Sequence, residues 1–319
     1  MPNNNKDLIH SYIFTTAKYD FSVYEKRILY RQIEIEQQLL EGQEIGKGVK
    51  IDTNLWGDKR YTIPLKWLLK DEDDKNYAQV EKAFRSLREK TITYEDEYIK
   101  AGFGVIQSYE ILKRDSFVSW VAHPRVVEAT MNFAKGYRKY ELQVAMQFES
   151  VYAMRFYELL SGQKKPLTYS IENLKEMFGI ADKYKLVGHF KAKILDIAKK
   201  ELDKCSPYTF DFQMNKTGRA FTSVTFYPIY QPQFRDAELE KRTLQKQVSP
   251  SWELTKNVLD YLKHNFEFDS KEIKQNIDLF YKASSEIDLI QFMAKIKPRA
   301  NRAKNPKGYL INSIKKELK

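Results

Sequence analysis

The stretch Ser150–Leu160, SVYAMRFYELL, constrains the fold of this chain most, because of the order of elements that follows it. Phe148, Tyr152, Phe156 and Leu159 recur at helical spacing and predict a helix over 139–161. A short strand follows at Leu167–Tyr169. Ser170 then caps a helix bearing Ile171, Leu174 and Phe178, which Gly179 ends. A longer helix is expected over Leu186–Lys204, with Phe190, Ile194, Ile197 and Leu202 facing inward and His189, Lys191, Lys193, Lys199 and Lys200 elsewhere on it. Next comes a hairpin: Tyr208, Phe210, Phe212 and Met214 alternate, Asn215–Arg219 turn, and Thr222, Val224 and Phe226 alternate on the return. Lys216 and Arg219 fall at its tip. Three helices closed by a basic hairpin is the order of a winged helix, with the long basic helix in the reading position.

The first half follows a similar plan without residue identity, so the repetition is architectural. Ser22 and Glu25 form a capping box, and Phe21, Tyr24, Ile28, Ile35 and Leu39 keep helical spacing until Gly42, which places a helix at about 22–41. Tyr61–Ile63 is strand-like, Pro64 opens a short helix LKWLL, and the acidic residues 71–74 turn the chain. Asn76–Lys90 sets Tyr77, Val80, Phe84 and Leu87 on one face and Gln79, Lys82, Arg85, Ser86 and Glu89 on the other. Thr91–Tyr98 alternates as a strand, Ala101–Gly104 turns, and Val105–Leu112 and Phe117–Val121 complete a small sheet. The expected class is α+β: two tandem winged helices (1–135 and 136–232), a linker (233–249) and a small, mainly helical C-terminal region (250–319).

Charge narrows the partner. The 319 residues carry 54 Lys plus Arg against 43 Asp plus Glu, a net charge of +11, which favours a polyanion. One cysteine, Cys205, leaves no intrachain disulfide framework and no multi-cysteine zinc site, and suits a reducing cytoplasm. The polar start MPNNNKD lacks an apolar signal core, and no apolar run approaches the roughly 18 residues of a membrane-spanning helix. Enzyme readings lack parts. His10, His123, His189 and His264 are scattered, without the paired histidines of a metal-dependent nicking site. Gly42–Gly48, GQEIGKG, is one residue short of a phosphate loop and lacks the following Ser or Thr. No catalytic residue, metal or cofactor is expected, and the tyrosines and phenylalanines fall mostly at core spacing rather than as base-stacking platforms.

From about Leu8 to Phe234 the chain resembles the Rep_3 family of plasmid replication initiators, the iteron-binding type. SVYAMRFYELL, LKEMFGI, HFKAKILDIAKKEL and KTGRAFTSVTF resemble successive elements of the family's second domain in order and spacing. The resemblance implies two winged helices, each placing a helix in a major groove of directly repeated, double-stranded origin DNA. It also implies monomers on iterons, dimers formed through the first domain that repress the initiator's own promoter, and opening of the origin without chemistry of its own. Where the family usually has an arginine cluster after the phenylalanine, this chain has Lys191, Ala192 and Lys193, and Lys reproduces the bidentate grip of Arg on guanine poorly. The DNA-contact candidates are Lys185, His189, Lys191 and Lys193 on the reading helix, Lys216 and Arg219 on its wing, and Gln79, Lys82, Arg85 and Ser86 in the first domain. A purely regulatory repressor of the same fold is the alternative.

Pro228, Pro232 and the mixed-charge run Arg235–Lys246 read as linker. Beyond it, Trp252, Val258, Leu259 and Leu262 mark one helix, and Ile287, Ile290 and Met293 another. From Lys295 to Lys319 there are nine Lys or Arg against the single acid Glu317. NPKGYLINSIKKEL resembles the tail of DnaD-like replication proteins, an amphipathic helix after a Gly-Tyr turn. Residues 250–319 therefore have two open uses: added phosphate affinity, or docking of a host helicase or its loader.

Overall fold

A computed structural model describes residues 5–11, 15–40, 45–46, 48–71, 73–95, 100–131, 137–241, 254 and 256–318. The long helix α1 (Val23–Leu40) lies at the centre. Its capping box forms as expected, with the Ser22 amide donating to the Glu25 carboxylate and the Glu25 amide to the Ser22 hydroxyl. It is buried all round because it serves two cores: Ile28, Leu29 and Ile35 join the core of the first winged helix, and Tyr30 and Ile33 join that of the second.

In the first winged helix, β2 (Lys50–Thr53), β3 (Lys59–Pro64), β6 (Ser108–Leu112) and β7 (Phe117–Ala122) form one antiparallel sheet in the order β2-β3-β7-β6. Between β3 and β6 lie a 3-10 turn (Leu65–Leu68), α2 (Tyr77–Glu89) and a separate hairpin of β4 (Thr91–Glu95) and β5 (Lys100–Gly104). The expected turn at Ala101–Gly104 is thus a strand. Gly102 sits opposite Thr93 in the ladder, so the pair of glycines flanking Phe103 marks a hairpin arm and not its bend. Residues 96–98 of the expected strand lie outside the described residues. Val80, Phe84 and Leu87 of α2 are fully buried as expected, but Tyr77 is 45% exposed, since it opens the helix a turn short of the core.

A strand stands at the start of the segment where a continuous helix over 139–161 is expected. β8 (Tyr137–Glu141) pairs antiparallel with β1 (Asp7–Ser11), and two helices follow, α4 (Leu142–Gln147) and α5 (Val151–Leu160). The break falls at Phe148, whose extended backbone ends α4, and Ser150 caps α5 by accepting the Ala153 amide. β9 (Leu167–Ser170), α6 (Ile171–Met177), the reading helix and the hairpin β10 (Tyr208–Thr217) and β11 (Ala220–Tyr230) complete the domain, in a sheet ordered β10-β11-β9. Ser170 caps α6 through the Asn173 amide, and Gly179 takes φ +64 after it. Pro228, expected in a linker, is in β11 opposite Phe210, past the point where β9 ends at Leu167↔Phe226 and a missing N–H leaves no ladder bond open on that side. Arg235 is not linker either: its guanidinium bonds Asp7 at 2.8 Å and Glu141 at 2.7 Å and is largely buried.

A buried polar cluster joins the winged helices. Lys26 of α1 and Glu158 of α5 form an ion pair with both side chains at 0% exposure. Beside it, Arg155 donates to the carbonyls of Ala17 and Met177 at 3.0 Å and stacks over the Tyr19 ring. Burial raises the Glu158 carboxyl, but the Lys26 charge, with His10 and Arg155, outweighs it and holds the group below its ordinary value. Burial pushes the His10 imidazole down to about 3.

Among its described residues the C-terminal region has five helices: α9 (Lys256–Phe266), α10 (Ser270–Gln275), α11 (Ile277–Glu286), α12 (Leu289–Ala300) and α13 (Pro306–Glu317). Trp252 lies outside the described residues. Ile287 ends α11 instead of lying on α12, and the expected Gly-Tyr turn is helical, because Asn305 caps α13 through the Gly308 amide and Pro306 occupies its first turn. The helices have their own core around Leu262, Phe280, Met293 and Leu310. They dock where Ala294, Ile290 and Tyr261 meet Ile9 of β1, Met131 and Tyr137 of β8. Among the described residues no helix is long and apolar enough to cross a membrane.

Candidate nucleic-acid interface

The reading helix is one continuous rod of three pieces: α7 (Val187–Phe190), a π-helical turn (Lys191–Leu195) and α8 (Asp196–Cys205). The wider π turn delays the buried stripe by about one residue, a feature that recurs at functional sites. Phe190, Ile194, Ala198 and Leu202 are therefore buried, and Ile197, expected inward, is 43% exposed. The π turn itself carries Lys191 and Lys193, the pair singled out by the sequence, both solvent-exposed.

The two lysines differ in their neighbours. Lys191 Nζ donates to both oxygens of Asp196 at 2.8 and 2.9 Å and lies 5.5 Å from the Phe212 ring of β10, so part of its charge is neutralised within the protein. Lys193 points out beside it, next to exposed His189 one turn earlier and exposed Lys185 just ahead of the helix. Lys199 is engaged with Asp203 and Asp211 at 3.0 and 3.1 Å. Its burial opposes the charge, but these two acids outweigh it and raise the ammonium above its ordinary value.

The wing is built to hold its cations outward. A bulge falls between Asn215 and Lys216, Gly218 turns at φ +63, and the Thr217 and Thr222 hydroxyls bond across the hairpin at 2.8 Å. Lys216 lies 4.7 Å over the exposed Phe221 ring, and Arg219 is exposed at the tip. Spacing did not single out exposed Lys183 ahead of the helix or Lys164 and Lys165 before β9; the Lys-Lys pair between Gly162 and Pro166 was their only signal.

On α2, Gln79, Lys82 and Arg85 are exposed, Ser86 is half-buried, and Arg85 pairs loosely with Glu81 at 3.4 Å. These residues share one helix face, while the reading-helix set sits on an element of the other core, so the chain offers two separate polar surfaces. Cys205 ends α8 half-buried, its thiol donating to the Glu201 carbonyl at 3.4 Å, and burial pushes that thiol up, away from nucleophile chemistry. Among the described residues no group of three His, Cys, Asp or Glu side chains could hold a metal ion.

This architecture defines a tandem winged-helix protein with basic reading elements. Two family models match it: Initiator Replication protein, WH1, over residues 8–161, and Initiator Rep protein, WH2, over residues 170–228. The chain belongs to this Rep3 family of replication initiators. Among solved structures, the Pi initiator protein in complex with iteron DNA is similar in fold, with a TM-score of 0.53 and 17% identity over 70% of this chain and 97% of that chain. No curated protein matches the chain.

Proposed function

We propose that this initiator starts plasmid replication by binding directly repeated origin sequences through its two winged helices. The observation that supports this reading best is the π turn with exposed Lys193 beside a rigid basic wing, inside the segment matched by the WH2 model. The solved complex of the similar Pi initiator with iteron DNA supports the same ligand. On this reading Lys185, His189, Lys191 and Lys193 face one major groove, Lys216 and Arg219 take adjacent phosphates, and Gln79, Lys82, Arg85 and Ser86 face a second groove. Pairing of two copies through the first domain represses the initiator's own promoter, and residues 250–319 dock the host helicase or its loader at the opened origin. The chain acts in the cytoplasm and carries out no chemistry itself.

The test is fluorescence anisotropy on duplexes from the DNA flanking the gene, against scrambled duplexes across a salt series. A preference of at least about a hundredfold for a directly repeated segment at about 150 mM salt supports the reading. Equal, steeply salt-sensitive binding to both overturns it.

A further inference from the structure

The helix α12 and the turn after it carry a cationic surface separate from the winged helices' candidate DNA-contact residues. α12 has three faces at about 100° per residue. Leu289, Met293 and Ala300 face the C-terminal core. Ile290 and Ala294 face Ile9, Met131 and Tyr137. On the third face Lys295 and Arg299 follow one another at i, i+4, Arg302 continues the line just past the helix, and Lys304 sits beside it; all four are exposed.

Two neighbouring cations are already engaged. Lys297 donates to Asn265 at 2.6 Å, and Lys307 donates to Glu272 at 2.7 and 2.8 Å. The region's acids are segregated: every Asp and Glu of residues 250–319 precedes α12 except Glu317.

We propose that Lys295, Arg299, Arg302 and Lys304 form a third DNA anchor, a sequence-blind clamp on the phosphate backbone of the duplex the winged helices hold. The stripe covers about 10 Å, a length over which a row of cations can lie along the phosphates of one strand. The partner is argued from charge and placement. A row of cations without interleaved acids fits a polyanion, and docking of Ile290 and Ala294 beside the β1–β8 pair attaches the row to the winged-helix body that binds DNA on the proposed reading, so the duplex is the polyanion at high local concentration. The inference rests on the origin-binding reading.

The test compares the full chain with a K295Q/R299Q/R302Q/K304Q variant on a duplex of about 60 base pairs containing the origin repeats, over a salt series, beside a scrambled duplex. Loss of four phosphate contacts lowers the slope of log K against log salt by about 3 to 4 units and weakens binding at least about tenfold at 150 mM, equally on both duplexes. The charge-conserving variant K295R/R299K/R302K/K304R keeps the slope, and thermal melts of both variants match the parent because the four side chains are exposed. An unchanged slope in the glutamine variant overturns the clamp and assigns the stripe to an acidic protein surface instead. A wild-type chain without preference for the repeats strikes the origin-binding reading, whatever the slopes.

Discussion

Replacing Lys26 by Met should cost far more than any surface change, and the cost should depend on pH in a defined direction. Lys26 and Glu158 are both fully buried, and Lys26 Nζ also donates to the Tyr19 hydroxyl at 3.0 Å. Removing one partner of such a pair leaves an uncompensated buried charge, which costs about 3 to 5 kcal/mol. The lower end, about 3 kcal/mol, is expected because Arg155 still acts on Glu158. In the wild type the Glu158 pKa lies below its unfolded value, so the pair's stabilisation is complete above about pH 4.3 and is lost as pH falls through the folded pKa. In K26M burial dominates and lifts the folded pKa above the unfolded one, so stability is lost as pH rises. The deficit against wild type is therefore larger at about pH 7.5 than at about pH 5. Urea denaturation followed by circular dichroism reads it: the midpoint falls by about 1 M at the higher pH. The double variant K26M/E158L, which removes both charges, returns to within about 2 kcal/mol of the parent. A K26M midpoint within about 0.3 M of wild type, or an equal deficit at both pH values, would refute the reasoning.

Three further outcomes follow from the geometry. His10, held near 3 when folded against about 6.5 unfolded, makes stability fall by roughly 1.4 kcal/mol per pH unit below 6.5 and down to about 3, and His10→Gln flattens that part of an acid-denaturation curve. Gly179→Ala destabilises by about 2 kcal/mol or more, because the residue sits at φ +64 and its new Cβ would lie 2.7 Å from Asp20 Cβ and 2.9 Å from Asp20 N; a melting temperature within a degree of the parent counts against this. Lys193→Ala lowers the salt slope by about one unit, and Asp196→Asn strengthens binding by releasing Lys191; both are read by anisotropy, and no change in either contradicts the placement of the π turn on DNA.

Where the sequence could be read, local chemistry decided the structure. The Ser22–Glu25 box, the Ser170 cap and Gly179 act within a few residues of themselves, so α1 and α6 stand where spacing puts them. Phe190 and Ile194 face inward for the same reason, but Ile197 does not, because a π turn changes the period and no residue type announces one. The helix expected over 139–161 misjudged Tyr137–Glu141 because its strand character comes from pairing with Asp7–Ser11, more than a hundred residues away. Arg235 failed likewise: a charge in a Pro-flanked run resembles solvated linker until Asp7 and Glu141 are seen around it. At the candidate interface, spacing located the exposed lysines, while the engagement of Lys191 by Asp196 and of Lys199 by two acids required the fold.

The buried charges between the two winged helices make better sense as geometry than as stability. An apolar pair of similar volume would hold α1 against α5 at least as firmly, since desolvating Lys26 and Glu158 offsets most of their attraction. The attraction of an ion pair set among Tyr19, Tyr30 and Arg155, however, depends on distance and direction, whereas apolar surfaces tolerate sliding. On the proposed reading, two helices must meet two grooves of one duplex at a fixed separation, and binding both at once depends on how narrowly that separation is held. K26M/E158L separates the two roles. It keeps near-parental stability, yet its affinity for a duplex presenting both grooves falls while its affinity for a short duplex that accommodates the second domain alone stays the same. Equal affinity of parent and double variant on the longer duplex would mean that the apolar contacts around α1 set the spacing and the buried pair does not.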